Sequence, residues 1–454
     1  MQQILIKNNM TDFKRNMLCA LKEWRKSEDR KPLVIRGARQ VGKTTVVKQF
    51  ASQFRHFISL NLESEAERAF FRTGMDVEAT ITGIQIHSHS PLTSGTLLFI
   101  DEIQNEPQAV QMLRYFYEKH PEICVISAGS LLESYAGKTF SFPVGRVEFM
   151  AMHPCSFYEY MGAIGRDEDL QSLLDGNATF IHDRLMQEFR MYTLLGGMPE
   201  AVRTYVTTRD FAKVEKVYSS LLMSYQDDVE KYAENKTQAA VIRHILQNGW
   251  ACAGEIITFE RFAGSAYKSR EVSEAFLTLQ KSMLLETVYP TFSTTVPMFQ
   301  QYTHHPKLLW LDTGLVNYAA ELRDEIFLNS DLQDVYRGRI AEHVVGQELA
   351  ALSNRAGEKR VFWQKSGRSE AEVDFLYQFE SKLIPIEVKS GSNAHLRSLQ
   401  SFMALTPHDV AVRVWSKPFS VDEVRNPLTG KTFRLINLPF YMVGMLPEVL
   451  KRVF

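Results

Sequence analysis

Cysteine is scarce in this sequence, and the four that occur lie far apart. They are Cys19, Cys124, Cys155 and Cys252, and no two of them form a C-x-x-C pair. Without closely spaced cysteines, the sequence offers neither a disulfide framework nor a zinc-binding motif. Such cysteine usage suits a reducing compartment, so we expect a cytoplasmic protein.

The sequence also lacks long apolar runs and an excess of either charge. No apolar run is long enough to span a bilayer, and the N-terminus has no charged-then-apolar leader, so we expect no membrane segment. Lysine and arginine number 52 against 53 aspartates and glutamates. Contact with DNA or RNA would therefore need a local basic patch. The length of 454 residues is too great for one core, and roughly two to four domains are expected.

A glycine-rich segment lies between a short apolar run, predicted as a strand, and a helix pattern. It reads Gly37-Ala38-Arg39-Gln40-Val41-Gly42-Lys43-Thr44 and leads into a helix from Thr45. Glycines let backbone N–H groups point inward at a phosphate, and the helix N-terminus adds a positive dipole end. Lys43 would reach the terminal phosphates, and the Thr44 hydroxyl would bind Mg²⁺. The segment, including Thr45, predicts a site for ATP and Mg²⁺; the alternative is a chance Gly/Lys/Thr loop.

An apolar run that ends in two acids supplies the second half of this predicted site. Leu97-Leu98-Phe99-Ile100 runs into Asp101 and Glu102, which is typical of a buried parallel strand with carboxylates at its ligand-binding end. Asp101 would order Mg²⁺ through water, and Glu102 would polarise the attacking water. The alternative is that both acids only cap the next helix.

The next apolar run, Ile123–Ser130, predicts another buried strand. Its polar exit, Ser127 or Ser130, is a candidate contact for the γ-phosphate or the water, and we favour Ser130. The alternative is that Ser130 only caps the following helix. Strands that alternate with helices predict an α/β fold with a doubly wound parallel sheet.

The middle of the chain is mainly helical in pattern. Residues 161–235 predict a helical lid that is broken by a loop bend at Gly196–Glu200. Residues 236–322 read as helix, helix, helix and hairpin, including a helical segment at Phe259–Ala263 and a last strand at Lys307–Asp312, which suggests a winged helix. The helix from Ser269 would then be the recognition element. The basic residues here, which are Lys268, Arg270 and Lys281, provide only modest charge. DNA binding and a packing role therefore both stay open.

A second constellation of charged residues lies near the C-terminus. Asp374 falls in one predicted strand, and Glu387-Val388-Lys389 falls in the next. Residues two apart share one face of a strand, so Glu387 and Lys389 would lie beside Asp374. Two carboxylates form a hard oxygen site for Mg²⁺, Lys389 would position the water, and Glu342 from a preceding helix can add a third carboxylate. The alternative is a surface strand of alternating charge. However, the strand is otherwise apolar, and buried acids cost free energy unless they are paired or bind a metal.

Together these motifs resemble the bacterial and archaeal AAA-type ATPases that carry a C-terminal nuclease-like domain. The similarity includes Val144-Gly145-Arg146, Met152–Tyr160, Glu372–Phe375 and Pro385–Lys389. It implies an AAA-type ATPase core in residues 1–160, then the helical lid, the winged helix and, in residues 323–454, a PD-(D/E)xK domain. Arg146 matches the family's Gly-Arg position and would act as a γ-phosphate sensor or finger, or only form a structural ion pair. The sequence departs from the pattern at Gln364, where an arginine is expected and Lys365 can supply the charge.

We therefore expect a protein that hydrolyses ATP and couples its nucleotide state to a nuclease-like domain that cleaves or binds nucleic acid. The first alternative is an ATP-dependent switch whose nuclease-like domain is inactive and binds DNA or a protein partner. The second is a small-molecule kinase, which the position of Glu102 disfavours because it suits activation of water. The sequence does not give an oligomeric state.

Overall fold

The structure is a computed structural model that describes residues 13–72, 74, 76–129, 142–176, 178–322, 338–367, 371–389 and 396–454. These residues form a parallel sheet in the first third of the chain, a mixed sheet in the last third and a largely helical stretch between them. Within those ranges, no helix is long and apolar enough to cross a membrane.

The first sheet has five parallel strands. They are β1 (Leu33–Arg36), β2 (His56–Asn61), β3 (Thr96–Asp101), β4 (Cys124–Gly129) and β5 (Glu148–Ala151), in the spatial order β2-β3-β4-β1-β5. All neighbours pair in parallel. The central strands are almost wholly buried, as is usual for parallel strands between two helix layers. The parallel α/β sheet predicted from the sequence is therefore confirmed.

Helices cover both faces of this sheet. They are α1 (Met17–Lys26), α2 (Lys43–Ala51), α3 (Glu65–Arg68), α4 (Val77–Ser88) and α5 (Pro107–Lys119). Alternate strand residues point to opposite faces. Thus Leu33 and Ile35 join the core cluster that includes α1 and α2, whereas Val34 joins the one that includes α4 and α5. Because parallel strands end at one edge of the sheet, the loops that follow β1 and β3 meet there.

The helical stretch follows directly. Its helices are α6 (Phe157–Ala163), α7 (Asp167–Leu174), α8 (His182–Leu195), α9 (Pro199–Thr208), α10 (Phe211–Asp227) and α11 (Val229–Tyr232). The predicted bend lies between α8 and α9, and close packing explains its glycines. A Cβ on Gly197 would lie 2.2 Å from the carbonyl oxygen of Cys155, and one on Gly196 would lie 2.3 Å from a carboxylate oxygen of Asp312. Only glycine permits this approach.

The next segment differs in part from the predicted winged helix. It contains α12 (Lys236–Asn248), α13 (Ser269–Lys281), β6 (Leu285–Val288), β7 (Pro290–Thr291), β8 (Lys307–Trp310) and α14 (Thr313–Ala319). The helix predicted at Phe259–Ala263 is only a 3-10 turn, Phe262–Gly264, because Arg261 and Ala263 adopt positive φ angles that interrupt a helix. Strand β8 pairs antiparallel with β6. It ends before Asp312, whose side chain caps α14.

The C-terminal part is a seven-stranded mixed sheet with helices against it. Its further elements are α15 (Arg339–Ala351), β9 (Val361–Gln364), β10 (Glu372–Phe379), β11 (Lys382–Val388), α16 (Arg397–Met403), β12 (Val410–Trp415), β13 (Ser420–Arg425), β14 (Thr432–Pro439) and α17 (Leu446–Val453). The strand order is β13-β14-β12-β11-β10-β9-β7. The edge strand β7 comes from the preceding segment and pairs in parallel with β9. The two segments therefore share one sheet.

Helix α15 connects three parts of the chain. Gln347 accepts a hydrogen bond from the backbone N–H of Thr313 at 2.8 Å, at the start of α14. The next residue, Glu348, accepts from the backbone N–H of Phe157 at 3.0 Å, at the start of α6. Glu342 lies in the first turn of the described helix, which begins at Arg339. The helix thus links residues 157–163 and residues 313–319 to the C-terminal sheet.

Candidate functional site

The loop between β1 and α2 needs both of its glycines. Gly42 adopts a φ of 100°, a left-handed conformation that disfavours other residues. A Cβ on Gly37 would lie 2.6 Å from the carbonyl oxygen of Met152. Ala38, Gln40 and Val41 complete the loop between the two glycines, and Thr45 lies in the first turn of α2. The loop therefore wraps tightly around the N-terminus of a helix, as a phosphate-binding loop does.

Lys43 is the buried cation of this loop. Its ammonium donates to the carbonyl oxygens of Gly37 and Ala38 at 2.9 Å each. Burial lowers the pKa of Lys43 to about 8, although the nearby carboxylates of Glu102 and Asp101 oppose that change. An anionic phosphate that replaced the two carbonyls would stabilise the charged form more strongly.

Thr44 and Asp101 meet at the ligand-binding edge of the sheet. The Thr44 hydroxyl donates to Oδ2 of Asp101 at 2.7 Å. Both are hard oxygen donors, and neighbouring ligands of an octahedral Mg²⁺ at about 2.1 Å from each oxygen lie about 3 Å apart. The two residues therefore fit a magnesium ion.

Glu102 follows Asp101 in a left-handed conformation, with a φ of 50°. Its carboxylate accepts a hydrogen bond from the side-chain amide of Gln104. Burial raises the pKa of Glu102, and the bond from Gln104 and the charge of Lys43 act against that rise. Gln104 was not predictable from the sequence, because its contact depends on the local turn that returns its amide to Glu102.

Arg39 connects the loop to the helical stretch. Its guanidinium donates to the carboxylate of Asp228, between α10 and α11. The hydroxyl of Tyr225 on α10 donates to the backbone carbonyl of Arg39 at 3.4 Å. Arg39, which lies in the glycine-rich loop, is thus bonded to residues about 190 positions later in the chain.

The two serines proposed at the end of β4 have different outcomes. Ser127 is buried inside the sheet, and its hydroxyl donates to the carbonyl oxygen of Leu33 on the neighbouring strand at 3.3 Å. The Ser127 hydroxyl therefore bonds within the sheet and not to the glycine-rich loop. Ser130 lies outside the described residues.

Arg146 lies at the opposite end of the sheet from the phosphate-binding loop. It precedes β5, which runs parallel to β1 with Glu148 beside Leu33, so Arg146 is at the N-terminal edge of the strands. Its guanidinium donates to Glu118, near the C-terminus of α5, at 2.8 Å. Of the two alternatives for Arg146, these contacts agree with the ion pair and not with a sensor for the loop of the same chain.

Comparison with known families agrees with this geometry. Residues 29–161 match the family described as an AAA domain. The match supports a P-loop ATPase. Two further domains of unknown function match residues 186–326 (DUF8612) and residues 337–441 (DUF4143). No curated protein gives a significant match.

Two solved structures show distant similarity to much of the chain. A Walker-type ATPase of Pyrococcus abyssi has a TM-score of 0.41 at 13% identity, over 68% of this chain and 96% of that one. A signal transduction ATPase (STAND) protein with a tetratricopeptide repeat sensor, from Pyrococcus horikoshii, has a TM-score of 0.28 at 11% identity, over 75% of this chain and 46% of that one. Because both TM-scores are below 0.5, we infer nothing further from them.

In the last third of the chain, the predicted C-terminal residues do come together. Strands β10 and β11 pair antiparallel, which brings Asp374 beside Glu387. Oδ2 of Asp374 accepts from the backbone N–H of Val388 at 2.7 Å. Lys389 pairs with Glu387 at 2.9 Å. Glu342 reaches the same place from α15.

A lysine for which the sequence predicted no role in a site, Lys307, lies within this cluster. The ammonium of Lys307, on β8, is 2.6 Å from Glu372, 3.2 Å from Glu342 and 3.5 Å from Asp374. The only sequence signal is a lysine at the start of an otherwise apolar strand. Among the residues that the structure describes, no group of three or more His, Cys, Asp or Glu side chains is arranged to receive a metal ion.

Burial dominates the protonation of this cluster. Burial raises the pKa of Glu342 to about 7 and that of Glu387 to about 8, with the Asp374 charge adding to both. Burial also raises the pKa of Asp374. Although burial opposes it, the surrounding carboxylates together raise the pKa of Lys307 above its usual value. The lysine is therefore charged at every physiological pH, and it is the cation around which these acids are arranged.

The proposed recognition helix carries acids as well as bases. Arg270 on α13 pairs with Glu274 at 3.0 Å, and Glu271 bonds to the backbone of Lys268. Gln364, which stands where an arginine was expected, also has a partner of its own. Its amide donates to Glu372 at 3.2 Å. Neither arrangement presents an unopposed basic surface for nucleic acid.

Proposed function

We propose that this chain binds ATP with Mg²⁺ and hydrolyses it, and that the nucleotide state of the loop acts on the helical stretch and the C-terminal domain. The contact between Thr44 and Asp101 is the observation that carries the proposal. It brings the glycine-rich loop and the acidic strand end into one site, although they are 57 positions apart. A kinase would also use the loop, but it would not need Glu102 beside the place of the attacking water.

The residues of the site would have different roles in the hydrolysis of ATP. Lys43 would exchange its two carbonyl partners for phosphate oxygens and hold the terminal phosphates in line. Mg²⁺, when bound by Thr44 and Asp101, would neutralise charge that develops on the phosphates. Glu102, in its ionised form, would accept a hydrogen bond from water and orient it for attack.

Hydrolysis is tested with three proteins and two measurements. We expect Glu102→Gln to bind ATP as the wild type does, while its hydrolysis rate falls by about 10²-fold or more. We expect Lys43→Ala to lose ATP binding. Hydrolysis by Glu102→Gln at the wild-type rate would refute the assigned role. Turnover that requires an added acceptor, and is insensitive to this change, would favour the kinase.

Arg39 is the proposed link from nucleotide to helices. Phosphate bound by the loop competes for the Arg39 guanidinium, which now pairs with Asp228. We expect ATP to change amide hydrogen exchange in residues 225–232 of the wild type. The change should be lost in Arg39→Ala and in Asp228→Asn. Arg243→Ala is the matched control, because it removes an exposed ion pair with Glu230 in the same region without contacting the loop. An equal exchange response in all four proteins would exclude this link.

For the C-terminal domain we favour the switch, in which the nuclease-like site does not cut. The position of Lys307 supports this choice, since the carboxylates already surround a cation. We expect no cleavage of labelled single- or double-stranded DNA or RNA with Mg²⁺ or Mn²⁺, with or without ATP. Cleavage that disappears in Asp374→Ala would instead establish a nucleotide-gated nuclease.

A further inference from the structure

The cluster around Lys307 is assembled from two separate parts of the chain. The lysine belongs to β8, which pairs with β6. Its partners belong to the C-terminal domain: Glu342 is on α15, and Glu372 and Asp374 are on β10. The cation is thus supplied by one segment and the carboxylates by another.

The Lys307 ammonium fills the space that a metal ion would need. An ammonium has three donors, and here three different carboxylates lie within 3.5 Å of it. The ring of Phe362 lies 5.0 Å from the same nitrogen and closes a further side. Only 6% of the Lys307 side chain is exposed. A divalent ion, which binds oxygens at about 2.0–2.6 Å, cannot enter among these oxygens unless the ammonium leaves.

The remaining carboxylate of the predicted metal site, Glu387, has a cation on only one of its two oxygens. One oxygen of Glu387 pairs with Lys389, and the other is buried without a hydrogen-bond partner among the described residues. Asp374 uses its second oxygen for the backbone N–H of Val388. The four carboxylates are therefore paired with two lysines, Lys307 and Lys389, which act as local counter-ions.

We propose that the Lys307 ammonium is the resident cation of this carboxylate cluster: it excludes divalent metal from the C-terminal domain and ties that domain to the segment carrying β8. Removal of the ammonium leaves an acidic site that takes a hard divalent cation such as Mn²⁺. The proposal does not depend on ATP hydrolysis, and it assigns to Lys307 a role that the carboxylates alone do not reveal.

The test measures Mn²⁺ binding to the full chain by electron paramagnetic resonance, without nucleotide. We expect the wild type and Asp374→Asn to bind the same amount, because metal held at the phosphate-binding loop is common to both. We expect Lys307→Met to gain a stoichiometric Mn²⁺ site that the added Asp374→Asn change removes. Lys281→Met is the matched control, since Lys281 is exposed on α13 of the same segment; it should bind as the wild type does.

A second variant allows for misfolding of Lys307→Met. The pair Lys307→Met/Glu372→Gln removes one acid together with the cation and leaves Glu342, Asp374 and Glu387 as oxygen ligands. Circular dichroism and ATP binding establish that each variant is folded. Mn²⁺ bound by the wild type and lost in Asp374→Asn would overturn the proposal. So would a folded Lys307 variant that binds no more Mn²⁺ than the wild type.

Discussion

Replacing Glu348 by glutamine should stabilise the protein, and by far more at pH 8 than at pH 5. Glu348 is 1% exposed. A single carboxylate oxygen accepts from the backbone N–H of Phe157 at 3.0 Å and from the Tyr192 hydroxyl at 2.7 Å. A glutamine oxygen can accept both bonds. The substitution therefore keeps the contacts and removes only a charge that appears when the carboxyl ionises.

The magnitude follows from the pKa of Glu348. Burial raises it from 4.5 to about 7, while the bonds from Tyr192 and Phe157 oppose the rise. Because the folded-state pKa is the higher one, the protonated carboxyl contributes stability that is fully present below pH 4.5 and is lost as pH rises through 7. The difference corresponds to about 3 kcal/mol. Glutamine does not ionise, so its advantage should grow across this window.

Thermal unfolding of both proteins, recorded between pH 5 and pH 8 without nucleotide, measures the effect. We expect the Tm advantage of Glu348→Gln to be small at pH 5 and to become several degrees larger at pH 8. Glu28→Gln, at an exposed position, controls for the loss of one negative charge and should show no such trend. A Tm difference that is the same at pH 5 and pH 8, or a lower Tm for Glu348→Gln at pH 8, would refute the reasoning.

Three further predictions concern single residues. Gly197→Ala should cost at least about 2 kcal/mol of unfolding free energy, since its Cβ would clash with a backbone carbonyl. Gly95→Ala, whose Cβ would meet its nearest neighbour at 3.5 Å, should unfold as the wild type does in the same denaturant titration. Arg146→Ala should leave the ATP hydrolysis rate within about twofold, and a larger loss would return this residue to the site. Gln104→Ala should raise the pKa of Glu102 further and move the acidic limb of the kcat–pH profile upward; an unmoved limb would exclude this positioning role.

The meeting of the glycine-rich loop with the acidic strand end was predictable because each part is local and the sheet aligns them. A glycine-rich loop, Lys43 and Thr44 occupy one short stretch, and Asp101 ends a strand whose direction is fixed by the parallel fold. The C-terminal acids were predictable for a similar reason, because side chains alternate along a strand. The sensor alternative for Arg146 came from family resemblance; the direction of β5 places this residue at the other edge of the sheet.

The partners that join distant parts of the chain were not predictable from one sequence. Nothing near Lys307 indicates that it will meet Asp374, 67 positions later. Likewise, nothing in the helical pattern marks Asp228 as the partner of Arg39. Such pairs depend on how whole segments dock. Local periodicity describes each segment but contains no information about its neighbours.

The two-residue strand β7 determines what can be removed from the molecule. It forms one edge of the C-terminal sheet, although it precedes its neighbour β9 by about 70 residues. A fragment that began at α15 would lose this strand and Lys307 together. It would expose the backbone of β9 to pairing between molecules and would carry an acidic cluster stripped of its counter-ion. The C-terminal domain is thus completed by the chain that is synthesised before it, and an excised copy would differ in both aggregation and metal affinity from the domain in the intact protein.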